Sequence, residues 1–255
     1  MKKILRTIYS VYALIIFIIL MLIAFPFIAF VALFGVKGGN AVYTIARIWG
    51  KIWYSLIGIR HKIIYESIPN KTHQYIFVAN HTSYIDIPTI IHSLHQPYRV
   101  LGKYEMVKIP VFGYIYKCAV ILVKRSSAEE RAKSYQALKK TIATGLSIFI
   151  FPEGTFNETG QPLKDFYDGA FRIAIETNTP IQPIIFLKTA QRMPPEYLLQ
   201  LSPGTTEAVF LTPVIFDQND KNLSVTTLKQ LVYQKMEAAI LQYNQNSISS
   251  NNSSK

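Results

Sequence analysis

The stretch that decides the fold is residues 75–86, with the sequence YIFVANHTSYID. Its first five residues form an apolar run, which predicts a buried strand. His81 follows that strand almost at once, and Asp86 comes five residues later. Residues five apart do not share a face of an α-helix. The two side chains can therefore meet only if His81 lies in a strand-to-helix turn and Asp86 lies in the first turn of the helix.

The residues around Asp86 carry the signals of a helix start. Ser83-x-x-Asp86 has the form of a capping box, although Asp serves less well than Glu at its last position. Pro88 also fits best near a helix N-terminus. A histidine with a carboxylate in reach has the parts of a general base and its orienting partner. Taken alone, the pattern leaves a surface histidine beside a helix cap as the other interpretation.

Composition narrows the class of protein. The chain has 255 residues, half of them hydrophobic, and a formal net charge of +12. Its basic residues are scattered along an apolar chain, whereas nucleic-acid binders carry them in a dense stripe or arm. Scattered positive charge suits anionic lipid and phosphorylated substrates better. Cys118 is the only cysteine, which excludes an intramolecular disulfide and a cysteine-based metal cluster, and we expect it to be a small buried hydrophobe.

The N-terminal part predicts a membrane anchor. Residues 9–34 are almost entirely apolar and uncharged, which exceeds the roughly 20 residues that cross a bilayer as a helix. Basic residues flank this stretch on both sides, and both groups favour the cytoplasmic face, which argues against a simple crossing. A bend at Pro26 would let the segment dip into one leaflet and return, with Gly35 and Gly38-Gly39 marking the exit. Residues 41–59 then have the pattern of an interfacial amphipathic helix.

From Tyr75 the chain alternates strands with helices, which predicts an α/β fold with a mostly parallel sheet flanked by helices. The predicted strands are Tyr75–Ala79, Tyr98–Leu101, Val120–Val123, Ser147–Phe151, Ile181–Leu187 and Ala208–Val214. The predicted helices are Ile85–His92, Pro110–Tyr116, Ala128–Thr144, Gly169–Glu176 and Val225–Tyr243. Ser127-x-x-Glu130 has the form of a capping box at the start of the third of them. We therefore divide the chain into an anchor with interfacial helices at residues 1–62, an α/β domain at residues 63–245 and a disordered Ser/Asn-rich tail at residues 246–255.

Polar residues follow other predicted strands at the same sheet edge as His81. In residues 151–155, Glu153, Gly154 and Thr155 can bind a polyol and an anion, or simply form an ordinary turn. Lys103 and the pair Lys124-Arg125 end two more strands. Arg125 is the better phosphate ligand because its planar fork binds two oxygens, although a solitary basic pair is also typical of a solvated strand end.

Together these stretches resemble the glycerolipid acyltransferase family, and most closely its bacterial 1-acyl-sn-glycerol-3-phosphate acyltransferases. The resemblance covers about residues 75–214. It implies that His81 is the catalytic base, oriented by Asp86, and that the glycerol-phosphate acceptor is held by the following residues: Arg125, Glu153 and Gly154, with Thr155 nearby and Lys103 as a further candidate.

Three positions depart from the family pattern. Phe156 stands where a polar or basic residue is common, Asp168 stands where a lysine is common, and Cys118-Ala119 replaces a glycine. Two fewer cations near the acceptor leave another lysolipid, such as a lysophospholipid or a lyso-aminolipid, open as the substrate.

The expected reaction is transfer of a fatty acyl group from acyl-CoA or acyl carrier protein to the sn-2 hydroxyl of 1-acylglycerol-3-phosphate, which gives phosphatidic acid. The resemblance implies a membrane-bound enzyme at the cytoplasmic membrane, with its active domain facing the cytoplasm, and no cofactor beyond the acyl donor. The bilayer supplies the lipid acceptor. We expect no metal and no nucleic acid. The rival interpretations are a metal hydrolase using His81, Asp86 and Glu153, and a non-catalytic lipid-binding membrane protein.

Overall fold

The computed structural model describes residues 2–70, 72–123, 127–217 and 223–252. Its strands, in chain order, are β1 Ile59–Tyr65, β2 Ile76–Ala79, β3 Tyr98–Lys103, β4 Val120–Val123, β5 Ser147–Ile150, β6 Ile181–Leu187 and β7 Gly204–Phe210. Its helices are α1 Lys2–Ala32, α2 Gly35–Leu56, α3 Asp86–Ser93, α4 Phe112–Ala119, α5 Ala128–Ala143, α6 Gly169–Thr177, α7 Thr189–Arg192 and α8 Val225–Asn252, with a 3₁₀ helix at Tyr104–Lys108.

The seven strands form one sheet in the order β1-β7-β6-β2-β5-β3-β4. Strand β6 is antiparallel to β7, and every other neighbouring pair is parallel. The mostly parallel α/β sheet predicted from the sequence is therefore confirmed. Strand β2 lies between β5 and β6, and Val78 pairs with both Ile150 and Pro183. The chain segments that leave the carboxyl ends of β2 and β5 consequently start side by side.

Alternate residues of the central strands face two separate cores. Ile76 and Val78 of β2 pack with the apolar faces of α5, α6 and α8. Phe77 and Ala79 pack on the other side with residues of α2 and α3. All four side chains are fully buried. The unbroken apolar run of β2 therefore follows from its position inside a sheet that is covered on both faces.

Helices α1 and α2 form an antiparallel hairpin. The indole Nε1 of Trp53 donates to the Ala13 carbonyl at 2.9 Å, and the Tyr9 hydroxyl donates to the Ile57 carbonyl. Helix α1 continues through Pro26, so the chain reverses after Ala32 and not at the proline. The reversal expected at Pro26 therefore lies instead between Ala32 and Gly35. Within the described residues, α1 is the helix that is long and apolar enough to cross a membrane by length and composition.

Strand β1 was absent from the sequence prediction. Its exposed and buried residues only partly alternate, and it follows α2 after the short turn at Gly58. Residues 41–59 had been assigned to one interfacial helix, whereas α2 ends at Leu56. The predicted boundary between the anchor and the α/β domain, after residue 62, falls inside β1. The two N-terminal helices consequently lead straight into an outer strand of the sheet.

The other predicted strands and helices are present, most of them with shifted ends, whereas α7 and the 3₁₀ helix at Tyr104–Lys108 were not predicted. Ser127 caps α5 as expected, since its Oγ accepts the Glu130 backbone N–H at 3.1 Å. Strand β7 begins at Gly204 and ends at Phe210, earlier than the predicted Ala208–Val214, and Val214 makes only an isolated bridge. Helix α8 continues to Asn252, beyond the predicted start of the disordered tail at residue 246.

We expect Ile148→Ala to lower the free energy of unfolding by about 2–5 kcal/mol, because it leaves a cavity in a core that has no room to relax. Ile148 lies on β5, is fully buried, and pairs with Ile76 on one side. The control is Lys133→Ala on α5, whose side chain is 63% exposed and pairs with the exposed Glu129. That control should change stability by less than about 0.5 kcal/mol. Chemical denaturation in detergent measures both, and equal losses would contradict this description of the core.

Candidate active site

His81 and Asp86 meet as the sequence predicted. His81 lies in the turn after β2, and Asp86 is the first residue of α3. The imidazole Nδ1 lies 2.9 Å from Oδ2 of Asp86, whose side chain is fully buried. The same oxygen accepts the backbone N–H groups of Thr82 and Ser83, each at 2.8 Å. A carboxylate that takes three donors acts as an acceptor, so Nδ1 carries the proton and Nε2 keeps its lone pair.

The helix start differs in detail from a capping box. The Asp86 carboxylate reaches back to the Ser83 N–H, as a capping box requires. The Ser83 hydroxyl does not complete the box, because its oxygen accepts the Ile85 N–H at 3.3 Å and not that of Asp86, while its proton is donated to the Met193 carbonyl at 2.6 Å. The residue that precedes α3 as its cap is Ile85. Ser83 therefore ties the turn to a distant segment of the chain.

Two further contacts fix the turn to the end of β6. The Asn80 side-chain amide donates to the Phe186 carbonyl at 3.0 Å and accepts the Phe186 N–H at 2.7 Å. The hydroxyls of Thr82 and Thr189 lie 3.1 Å apart. These contacts join residues about a hundred positions apart in the chain, and sequence spacing carries no signal for them. They hold His81 at the edge of the sheet.

Glu153 lies in the turn after β5 and is fully buried. Its Oε1 accepts the backbone N–H of His81 at 2.8 Å, and its Oε2 accepts the backbone N–H of Lys164 at 3.0 Å. Burial raises the pKa of Glu153 to about 7, and the nearby Asp86 charge adds to the rise, while the two backbone hydrogen bonds oppose it. The carboxylate therefore braces the main chain of His81, a contact that the sequence did not reveal.

Aromatic rings enclose the imidazole. Phe151 stacks on His81 with ring centroids 3.8 Å apart and planes 12° apart, and Phe156 lies tilted at 4.3 Å. The His81 side chain is only 16% exposed as a result. Phe156, which departs from the family pattern, thus contacts the candidate base directly and also packs edge-on against Tyr84. The site keeps most water away from the histidine.

The structure places three other predicted site residues, Gly154, Thr155 and Lys103, at the same sheet edge. Gly154 closes the turn with a positive φ of 75°, a conformation that favours glycine. Thr155 is exposed, and its Oγ1 accepts from the ammonium group of Lys164 at 2.7 Å. Lys103 ends β3 and is exposed. Arg125 lies outside the described residues. Lys164 is a cation of the site that the sequence analysis missed, because it stands eleven residues after Glu153 with no motif around it.

The chain is similar in sequence to known acyltransferases. Residues 61–187 match the family model Acyltransferase. The chain is 30% identical over 209 residues to a chloroplastic 1-acyl-sn-glycerol-3-phosphate acyltransferase of Brassica napus, and the match covers 81% of this chain and 59% of that protein. It is 26% identical over 217 residues to a 1-acyl-sn-glycerol-3-phosphate acyltransferase of Salmonella typhimurium, with coverage of 83% and 85%.

A solved structure shares the fold. The crystal structure of the 1-acyl-sn-glycerophosphate acyltransferase PlsC from Thermotoga maritima matches with a TM-score of 0.79 and 21% sequence identity, over 96% of this chain and 98% of that one. The match includes the N-terminal helices as well as the α/β domain. The predicted fold class is therefore confirmed from an independent source.

We expect the stability difference between the wild type and Glu153→Gln to change with pH between about 4.5 and about 7. The raised pKa means that the folded protein keeps a proton on Glu153 that the unfolded chain has released in this window. The wild type therefore loses stability as pH rises, by at most about 1.4 kcal/mol per pH unit, whereas glutamine does not titrate.

Thermal melts of both proteins across that window measure the effect. The wild-type Tm should fall relative to that of the variant as pH rises, and Glu158→Gln, an exposed change in the same segment, should track the wild type. Parallel curves for the wild type and Glu153→Gln would show that Glu153 is not the buried, protonatable group described above.

Proposed function

Because the chain belongs to the glycerolipid acyltransferase family, we propose that it transfers a fatty acyl group from acyl-CoA or acyl carrier protein to the sn-2 hydroxyl of 1-acylglycerol-3-phosphate. The product is phosphatidic acid. The observation that carries this proposal is the 2.9 Å contact between His81 and the buried Asp86, which leaves the imidazole Nε2 free at the edge of the sheet. The names of the relatives support the same enzyme type, although the chain spans only 59% of the Brassica napus protein.

In the proposed mechanism, Nε2 of His81 takes the proton of the acceptor hydroxyl as its oxygen attacks the thioester carbonyl. A carbon–oxygen bond forms, the tetrahedral intermediate collapses, and the carbon–sulfur bond breaks. The leaving thiolate takes the proton back from Nε2, so the products are an ester and a free thiol. Asp86 holds the tautomer that makes Nε2 the base and stabilises the imidazolium that forms between the two steps.

The acceptor phosphate is proposed to bind at the cationic end of the site. Lys103 and Lys164 are two cations at this sheet edge, and Lys164 already contacts Thr155 at 2.7 Å. Arg125 and Gly154 are further ligands by family resemblance. Both oxygens of Glu153 accept backbone N–H groups, one from His81 and one from Lys164. We therefore assign Glu153 to positioning these two segments and not to direct contact with the acceptor.

The N-terminal hairpin is proposed to hold the enzyme at the membrane without crossing it. A continuous face of α1 is exposed and apolar, and it includes Ile4, Leu5, Ile8, Ile15, Ile18, Ile19, Leu22, Ile23, Phe27 and Phe30. The opposite face packs on the domain at both ends, through Ser10 against Leu201 and Phe25 against Tyr114. A helix attached along its length fits one that lies in a single leaflet. We place the protein at the cytoplasmic membrane, with the α/β domain in the cytoplasm.

A second candidate keeps the mechanism and changes the acceptor to another lysolipid. Two observations favour it. Phe156 fills space beside His81 where a cation is common, and Asp168 is engaged with Lys229 at 2.6 Å. A non-catalytic lipid-binding protein is a weaker candidate, since it gives no reason for a buried carboxylate to orient His81.

The first test is acyl transfer by detergent-purified protein from acyl-CoA and from acyl carrier protein to a panel of lysolipids. We expect lysophosphatidic acid to be the best acceptor. His81→Ala should lower turnover by about 10²–10⁴-fold, and Asp86→Asn should lower it as well by favouring the wrong tautomer. Preference for another lysolipid would select the second candidate, and transfer that does not depend on His81 would refute the mechanism.

Lys164→Met tests the assignment of the phosphate site. The variant keeps the backbone N–H that Glu153 accepts and removes only the ammonium group. Loss of a charged hydrogen bond should raise the KM for lysophosphatidic acid about tenfold, with a smaller change in kcat. Lys133→Met, on the exposed surface of α5, is the matched control. An unchanged KM in Lys164→Met would remove Lys164 from the acceptor site.

A further inference from the structure

Residues 194–200, called here the 194–200 loop, lie between α7 and β7 and expose three consecutive large apolar side chains. Tyr197, Leu198 and Leu199 are 58%, 56% and 41% exposed. Single exposed apolar residues are normal on a protein surface, whereas a contiguous group marks an interaction site. The loop is not used by the proposed chemistry.

The 194–200 loop is attached to the start of α1. Gln200 donates through Nε2 to the Thr7 hydroxyl at 3.2 Å, and the Leu201 N–H donates to the Ser10 hydroxyl at 2.9 Å. The ammonium group of Lys3 lies 6.0 Å from the centroid of the Tyr197 ring. The three exposed side chains therefore lie beside the first turns of α1, where Ile4, Leu5 and Ile8 are exposed.

The same loop is attached to the catalytic turn. The Met193 carbonyl, directly before the loop, accepts the Ser83 hydroxyl at 2.6 Å. Two half-exposed apolar residues follow Ser83, with Tyr84 at 46% and Ile87 at 40% exposure. The 194–200 loop is thus attached both to α1 and to the turn that carries His81, and all three segments expose apolar side chains.

We propose that the 194–200 loop is a second membrane contact, with Tyr197, Leu198 and Leu199 inserted into the lipid interface beside α1. The occupant is an anionic bilayer. Tyrosine is a side chain that favours the interface, and the positive charges of Lys3 and Arg6 on the adjoining turns of α1 suit anionic headgroups. With both α1 and the 194–200 loop in contact with the bilayer, the protein cannot rotate about the axis of α1, and the opening of the site faces the bilayer. This inference rests on the membrane association given under the proposed function.

The test uses the full-length protein and vesicles of phosphatidylcholine with about a third phosphatidylglycerol. Leu198→Asp/Leu199→Asp changes two exposed side chains and should leave the fold intact, as circular dichroism would verify. Transfer of one leucine out of water changes an equilibrium about tenfold or more. We therefore expect vesicle flotation of the double variant to weaken at least tenfold. Leu241→Asp, an exposed leucine on α8, should float like the wild type.

A depth measurement gives a second readout that needs no activity. A fluorophore on Leu198→Cys in a Cys118→Ser background should shift to the blue on vesicles and be quenched by lipids brominated on the acyl chain. The double substitution should lower acyl transfer to an acceptor in vesicles more than it lowers acyl transfer to the same acceptor in detergent micelles. Only the bilayer constrains the orientation of the protein.

A fluorophore that stays in water would overturn the proposal. So would a double variant that floats like the wild type while Ile15→Asp on α1 does not. A double variant that changes only in oligomeric mass would also overturn it, because the loop would then be a contact between copies of the chain. Failure of the enzymatic assignment is separable, since a wild type that floats, inserts the fluorophore and transfers no acyl group would leave the loop contact standing.

Discussion

The buried carboxylate of Asp86 is the constraint around which the active edge of the sheet is arranged. An ionised carboxylate without exposure to water is unfavourable unless donors surround it. Here Oδ2 receives the ring of His81 and the backbone N–H groups of Thr82 and Ser83. The position at the N-terminus of α3 adds a favourable helix dipole. The turn satisfies this oxygen by folding back over the first turn of α3, and that arrangement orients the histidine ring.

The carboxylate of Glu153 holds the turn that carries His81 in a second way. It joins the His81 backbone to that of Lys164, so the segments after β2 and β5 are held together. The two acids have opposite environments. Asp86 takes three donors on one oxygen, whereas burial dominates at Glu153 and raises its pKa to about 7. Under the proposed mechanism, Asp86 orients the base, and Glu153 holds the turn that carries it.

The sequence predicted what local pattern determines. The apolar run of β2, the cap of α5 at Ser127 and the meeting of His81 with Asp86 all depend on residues close together in the chain. Strand β1 was missed because it follows α2 without a break in apolar character and carries polar residues at a sheet edge. The brace at Glu153 and the hydrogen bond from Ser83 to Met193 were missed because they join distant segments, where composition and spacing give no signal.

The direct passage from α2 into β1 has a physical consequence of its own. Gly58 accepts a hydrogen bond from the Gly204 N–H at 3.1 Å, so the end of the hairpin is already part of the sheet and no flexible linker intervenes. Under the proposed membrane attachment, the α/β domain would keep a fixed height above the bilayer and would diffuse in two dimensions. The proposed lipid acceptor would then be met according to the number of its molecules per unit area of bilayer, so diluting the vesicles at constant composition would not change how often the two collide.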